Sequence, residues 1–278
     1  MIRMTSRIQG VKGMQTTSTH AYEDQFSPEY DIADAPAPER TIIIASTPRS
    51  GSHMLGHAMT ATDAMGRPFE YSPPQNAEEW QRRLGQPDMK SALREIMKRR
   101  TTRNGVFAAK LHYEHLSLFG GLQAALDFFP NPVVVRVVRA DLLRQAISLC
   151  VARQTGVWIS SMTGNGKTPV YDYEAIRAEV ERVALHNALW DSELAAAGVP
   201  ALTVEFEASR TDTANVLRRI ADFAGIDLAE AAIPDQPRTR KQSGGLAEKW
   251  IEAYREDLNR TKGRSGVRIM RNVLHKLK

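Results

Sequence analysis

Cysteine is nearly absent. Cys150 is the one thiol in 278 residues, which excludes an internal disulfide framework and suits a reducing compartment. It lies in the apolar helical run Ala146 to Val151, where a small buried residue is expected rather than a nucleophile. Long hydrophobic runs are lacking too. No stretch reaches the ~18 consecutive apolar residues of a membrane span, and the N-terminal residues lack the apolar core of a secretory signal. A cytoplasmic protein without a membrane span is therefore expected. Aromatic residues make up only 7%, and the net charge of +5 is spread among interspersed acidic residues. The basic stripe with interleaved aromatics of a nucleic-acid binder is missing, so no nucleic-acid partner is expected. A basic pocket for a polyanionic small molecule accounts for the excess charge equally well.

What is present centres on Thr41-Ile-Ile-Ile-Ala-Ser-Thr-Pro-Arg-Ser-Gly-Ser-His-Met-Leu55. A β-branched apolar run, Thr41 to Ala45, reads as a buried parallel strand. Ser50, Gly51 and Ser52 then supply a turn into a helix beginning near His53. Amides at such a helix start, with the helix dipole and the Arg49 guanidinium, suit a phosphate-like oxyanion. A triphosphate-binding Walker loop needs Gly, four residues, then Gly-Lys and Ser or Thr. The Lys is absent here, so a kinase or ATPase lacks its central part.

Along the rest of the chain, residues 1–39 show little hydrophobic periodicity and end in Ala35-Pro-Ala-Pro38, which predicts a disordered leader before a single domain over residues 40–278. Strands are predicted at Val106 to Leu111, Val133 to Val138 and Ala201 to Phe206. Helices are predicted at Met54 to Thr62, Glu78 to Leu84, Met89 to Arg103, Leu122 to Phe129, after Asp141, at Glu174 to Ala197 and at Thr213 to Ala224. Two late helices, Trp250 to Leu258 and Val267 to Leu277, are separated by Gly263 and Gly266. This alternation argues an α/β, P-loop-like three-layer fold with a central parallel sheet flanked by helices, whose ligands lie beyond the carboxyl ends of the strands.

A second anion site is predicted after the third strand. Arg139 ends that strand, and Arg144 and Ser148 lie four apart on one face of the next helix, so an Arg and a hydroxyl can converge on a phosphate. Two anion sites on one sheet match a cofactor phosphorylated at both 5′ and 3′ positions, 3′-phosphoadenosine 5′-phosphosulfate (PAPS). Pro48-Arg-Ser-Gly-Ser52 resembles the bacterial sulfotransferase phosphosulfate loop. Arg139 to Ser148 resembles the segment whose Arg and Ser bind the 3′-phosphate. With Ala152 to Trp158, Gly66 to Tyr71, Asn104 to Leu111, and Lys241-Gln242 through Trp250 to Arg255 in the same order, the chain resembles the bacterial PAPS-dependent sulfotransferases of the mycobacterial trehalose sulfotransferase type. More distantly it is similar to nodulation-factor and lipopolysaccharide sulfotransferases.

That resemblance implies transfer of a sulfuryl group to a hydroxyl of a carbohydrate or glycolipid-like acceptor, without a metal. Arg49, Ser50, Gly51, Ser52 and His53 would face the 5′-phosphosulfate, Arg139 and Ser148 the 3′-phosphate, and Lys241 and Gln242 would close over the cofactor. Glu70 maps onto the family's proposed base, for which burial should raise its pKa; His112 is the second candidate. His53 stands where the family commonly has Thr, and His112-Tyr-Glu-His115 departs from the family's segment, which leaves the acceptor open. As a metal pair, His112 and His115 lack an evident third ligand. The resemblance also implies a homodimer, though no segment identifies an interface. Two alternatives stay open: a P-loop-type kinase, and a nucleotide- or glycan-binding module without activity.

Overall fold

The computed structural model describes residues 23–159, 162–234 and 245–275. Four strands, β1 (Arg40–Ser46), β2 (Val106–His112), β3 (Pro132–Val138) and β4 (Ala201–Glu205), form one sheet in the order β2-β1-β3-β4. Every pairing is parallel. Each core strand is apolar at consecutive positions because both faces of the sheet are covered. Successive side chains alternate between those faces. Ile43, Ala45, Phe107, Ala109 and Leu111 join one core cluster, and Ile42, Ile44, Val106 and Ala108 join the other.

The helices divide accordingly. Helix α1 (Ser52–Ala61) contributes Leu55 and Met59 to the second cluster, as α8 (Thr213–Ala224) contributes Val216, Leu217 and Ile220. On the first face lie α2 (Pro74–Leu84) with Trp80, α3 (Met89–Arg100) with Leu93 and Ile96, α4 (Leu122–Phe128) with Leu126, and α6 (Tyr173–Ala196) with Trp190. Burying each such side chain stabilises by roughly 1.5–3 kcal/mol. A third cluster joins α5 (Leu142–Thr155), α6 and α9 (Gly245–His275) through Ile147, Cys150, Ile176, Trp250 and Tyr254. A short α7 (Phe206–Thr211) follows β4 directly. Among the described residues, no helix is long and apolar enough to cross a membrane.

Strand β1 connects to β2 on one side, and β2 then returns across it to β3 on the other. Such a reversal opens a crevice beyond the carboxyl ends of β1 and β3. The segments after those two strands carry Arg49 and Arg139.

Three sequence expectations need correction. Residues 23–39 pack instead of trailing as part of a leader: Glu23–Phe26 and Pro28–Tyr30 are 3-10 turns, Phe26 joins the first core cluster, and Gln25 accepts from Trp80 Nε1 at 3.0 Å. Asp31 pairs with the buried Arg100 at 3.1 Å. Scattered aromatic anchors hold this stretch, so it shows no periodicity for a pattern search to find. The C-terminal region, predicted as two helices, is one continuous α9; an interior glycine costs about 1 kcal/mol, which does not oblige a break. Helix α2 begins at Pro74, four residues ahead of its predicted start, because proline is well tolerated in the first helical turn.

Candidate active site

Past Ser46 the chain makes the turn Thr47-Pro48-Arg49-Ser50-Gly51 before α1 begins at Ser52. Two residues in this turn are left-handed: Arg49 has φ 64° and Gly51 has φ 92°. Gly51 is required sterically as well, since a Cβ there would lie 2.2 Å from the Phe206 ring. For Arg49 the left-handed conformation costs roughly 1–3 kcal/mol, offset by contacts that fix it. Its Nε donates to Ser148 Oγ at 2.9 Å, its NH1 donates to the Trp158 carbonyl, and its own carbonyl accepts from Arg139 NH1 at 3.2 Å. Gln145 on α5 clamps the turn from behind, donating to Thr47 Oγ1 at 2.9 Å and to the Pro48 carbonyl at 2.7 Å.

The turn is chemically suited to an anion. Amides in the first turn of α1 have no acceptor within the helix, and Leu55 N to Gly51 O, 3.2 Å, is the helix's opening bond. Ser50 Oγ and Arg139 Nε are buried, and neither has a hydrogen-bond partner among the described residues. Burial pushes the Arg139 pKa below its ordinary value, with Asp141 and Glu207 opposing. An arginine stays charged nonetheless. Its guanidinium lies 4.8 Å from the Phe206 ring centroid, so one face is covered while its edge keeps an unsatisfied donor. Orphaned buried donors at a helix start fit a phosphate or phosphosulfate group.

Beside the turn stands a second cluster. Phe69 bridges to Ala109 in parallel fashion, and Lys110 N donates to the Phe69 carbonyl at 2.9 Å, which aligns Glu70 with the end of β2. Glu70 Oε1 then lies 2.9 Å from Lys110 Nζ and 3.3 Å from His112 Nε2. Asn76 Nδ2 fixes the Glu70 carbonyl at 2.7 Å. The other nitrogen of His112, Nδ1, is 3.0 Å from Ser46 Oγ, its neighbour in the β1–β2 register. His115 Nδ1 accepts from the His112 amide at 3.1 Å.

The expectation of a raised Glu70 pKa is overturned. Burial does push the carboxyl up, but Lys110 and then His112 outweigh it and hold Glu70 well below the usual carboxylate range. Its side chain is 28% exposed, so the carboxylate is both ionised and reachable. Burial, Lys110 and His57 together push His53 down to about 2, so that its imidazole is neutral. His53 Nε2 and His57 Nε2 are 3.0 Å apart, one turn from each other on α1.

Of the residues singled out in the sequence, Arg49, Ser50, Gly51, Arg139 and Ser148 meet at the crevice, and Glu70 meets Lys110 and His112 next to it. Ser52 and His53 open α1 at the same edge. Lys241 and Gln242 lie outside the described residues. Arg144 does not converge with Ser148. It pairs with Asp141 at 3.1 Å and with Glu248 of α9 at 2.9 Å, because two carboxylates within reach outcompete a hydroxyl. Arg49, from across the crevice, takes the Ser148 hydroxyl instead. Among the described residues no three His, Cys, Asp or Glu side chains gather as metal ligands. Burial raises the Cys150 thiol to about 12, which leaves it inert.

Sequence reasoning missed Ser46, Gln145 and His57. His57 follows His53 by four residues and Gln145 follows Asp141 by four, spacings that place each pair on one helical face. Ser46 carried no such signal, because only the strand register sets it opposite His112.

Residues 41–257 match the family described as Stf0 sulphotransferase. The chain is 27% identical over 263 residues to a protein of Mycobacterium tuberculosis named trehalose 2-sulfotransferase, covering 80% of this chain and 96% of that one. It is 26% identical over 271 residues to the trehalose 2-sulfotransferase of Mycolicibacterium smegmatis, covering 80% and 97%. Among solved structures, the sulfotransferase STF9 from Mycobacterium avium aligns with a TM-score of 0.46 at 15% identity, over 76% of this chain and 69% of that one.

Proposed function

The chain belongs to the Stf0 sulphotransferases, and from that premise we propose that it transfers a sulfuryl group from PAPS to a hydroxyl of a carbohydrate or glycolipid-like acceptor in the cytoplasm. The observation that carries the choice of donor is the pair of buried, unpartnered donors, Ser50 Oγ and Arg139 Nε, at the crevice beside the start of α1. PAPS would supply an activated sulfuryl group whose bond to the bridging phosphate oxygen breaks with the electron pair leaving on the phosphate.

Arg49, Ser50 and the first amides of α1 grip the 5′ end, and Arg139 with Ser148 holds the 3′-phosphate. Fixed cations and amides can supply most of the stabilisation that such a displacement needs. Arg49 also touches Ser148 and Arg139, so the two halves of the cradle are tied before any ligand arrives. That tie reduces the ordering cost of binding.

Glu70 takes the acceptor proton as the new oxygen–sulfur bond forms. Lys110, 2.9 Å away, keeps the carboxylate ionised for that purpose. His112 is the second candidate, because its Nε2 reaches Glu70 and its Nδ1 reaches Ser46 Oγ, an order in which a proton can be passed along. A trehalose-like sugar is the acceptor that the curated relatives' names support. A homodimer belongs to the same reading, and light scattering on the purified chain checks it.

Calorimetric titration tests the donor assignment. Adenosine 3′,5′-bisphosphate should bind without a metal and ATP with Mg²⁺ should bind far more weakly; the reverse order refutes it. For the base, Glu70→Gln should abolish transfer to trehalose from labelled PAPS while leaving bisphosphate affinity nearly unchanged. Retained turnover moves the role to His112.

A further inference from the structure

Gln145 lies on α5, three residues before Ser148, and is 0% exposed. Its Nε2 donates to Thr47 Oγ1 at 2.9 Å and to the Pro48 carbonyl at 2.7 Å. A primary amide has two N–H donors, so both are committed to the residues just ahead of Arg49. The Pro48 carbonyl can only accept, which fixes the amide with its nitrogen toward the turn; the flipped amide would set two acceptors against each other. Thr47, accepting from Gln145, then donates its own hydroxyl to Asn187 Oδ1 on α6 at 3.4 Å. The same Oδ1 accepts from NH2 of the buried Arg136 at 2.9 Å. A directed chain thus holds the turn from behind, beginning on α5 and ending on a cation of β3.

Packing alone does not call for this amide. Gln145 Oε1 is buried with no partner among the described residues, and a buried unpaired acceptor costs stability. An apolar side chain of the same length would fill the space without that cost. What the amide secures is the backbone before Arg49, whose left-handed φ of 64° persists only where its surroundings over-determine it. Arg49 also reaches α5 through Ser148 Oγ, but the sulfuryl-transfer reading assigns both of those groups to the cofactor, so their contact competes with the ligand. The contacts of Gln145 do not.

We propose that Gln145 is a positioning residue that couples the two ends of the cofactor site. It carries the order of α5, which bears Ser148 of the 3′ end, into the turn that grips the 5′ end, and it touches no ligand itself. The inference rests on the assignment of those two ends under the proposed function. Coupling of this kind appears as a non-additive gain in affinity. The 5′-phosphate of a ligand anchored at its 3′ end therefore gains more in the parent than in a chain without the amide.

The test compares calorimetric affinities of the full chain for adenosine 3′-phosphate and adenosine 3′,5′-bisphosphate, whose ratio reads the gain from the 5′-phosphate once the 3′ end is held. In Gln145→Met, which keeps the length and removes both donors, that ratio should fall about ten-fold. Adenosine 3′-phosphate should still bind within about two-fold of the parent, which also shows that the variant folds. Thr47→Val removes one of the two acceptors and should lower the ratio less. The double variant should fall little below Gln145→Met, because the two side chains act as one unit. A merely structural Gln145 would lower thermal stability and leave the ratio unchanged; that result overturns the coupling, as does full additivity in the double variant. If Gln145→Met does not fold, an unchanged ratio in Thr47→Val overturns it alone. A parent chain that binds neither nucleotide refutes the sulfuryl-transfer reading first, whereas one that binds both equally refutes the 5′ assignment of the turn and the coupling with it.

Discussion

Replacing Lys110 by Met isolates the effect that sets the charge of Glu70. Lys110 is 3% exposed and its Nζ lies 2.9 Å from Glu70 Oε1. At that separation two unit charges attract by about 6 kcal/mol for an effective dielectric of ~20. Desolvation opposes this attraction, since burial is the largest single influence on Glu70 and acts upward. With Met at 110, burial is left opposed by His112 and His115, and the midpoint should rise.

The consequence for stability follows from linkage. In the parent, the folded-state pKa of Glu70 is depressed, so the stabilisation is present above its unfolded value and is lost as pH falls through the folded one. In the variant that contribution disappears, and the chain loses stability at neutral pH more than at acid pH. Carboxyl titration of ¹³C-glutamate-labelled protein by NMR, with the Glu70 signal assigned from Glu70→Gln, reads the midpoint without any acceptor. A midpoint that stays at the parent value would mean that Lys110 does not control the Glu70 charge, and the account of the base would fall with it.

Three further perturbations probe the frame around the site. Gly51→Ala places a Cβ 2.2 Å from the Phe206 ring at φ 92°, so the bisphosphate should bind at least about ten-fold more weakly by calorimetry, with a loss of about 1–3 kcal/mol in urea unfolding. Unchanged affinity would show that the turn can relax without cost to the cradle. Arg139→Ala should weaken adenosine 3′,5′-bisphosphate much more than adenosine 5′-phosphate; some loss for both is expected, because Arg139 also holds the Arg49 carbonyl, but an equal loss would refute the 3′-phosphate assignment. Phe26→Ala should cost about 3 kcal/mol in urea unfolding, since the ring is 7% exposed and packs at a tilt against Trp80, ring centroids 5.0 Å apart. A parent-like midpoint would show that the stretch ahead of β1 adds nothing to the core.

Much of this arrangement was legible in the chain because it rests on local rules. Consecutive β-branched residues at Ile42 to Ile44 and Val133 to Val135 mark strands covered on both faces, and the Ser-Gly turn after the first of them marks the tight strand-to-helix junction where the sheet order reverses. Contacts set by register or by competition were not legible. Ser46 meets His112 only because β1 and β2 pair in one particular register. Arg144 was assigned to a phosphate on helical spacing alone, and spacing says nothing about Glu248, which comes from a helix about a hundred residues later. Phe26 and Asp31 dock through single anchors that leave no period in the sequence.

The same distinction bears on the base. Partial burial alone argues for a raised Glu70 pKa, and the residue that reverses the sign, Lys110, is forty positions away and becomes its neighbour only through the Phe69–Ala109 bridge. A depressed pKa makes Glu70 a poor proton acceptor toward a free alcohol, whose proton is held far more tightly. During sulfuryl transfer, however, that proton grows acidic as its oxygen bonds to sulfur, so a carboxylate already ionised and in place can accept it late in the step. With Glu70 as the proposed base, the site needs it charged at every working pH more than it needs it strongly basic. Lys110 supplies that condition, and the neutral His53 nearby adds no competing cation to the cradle.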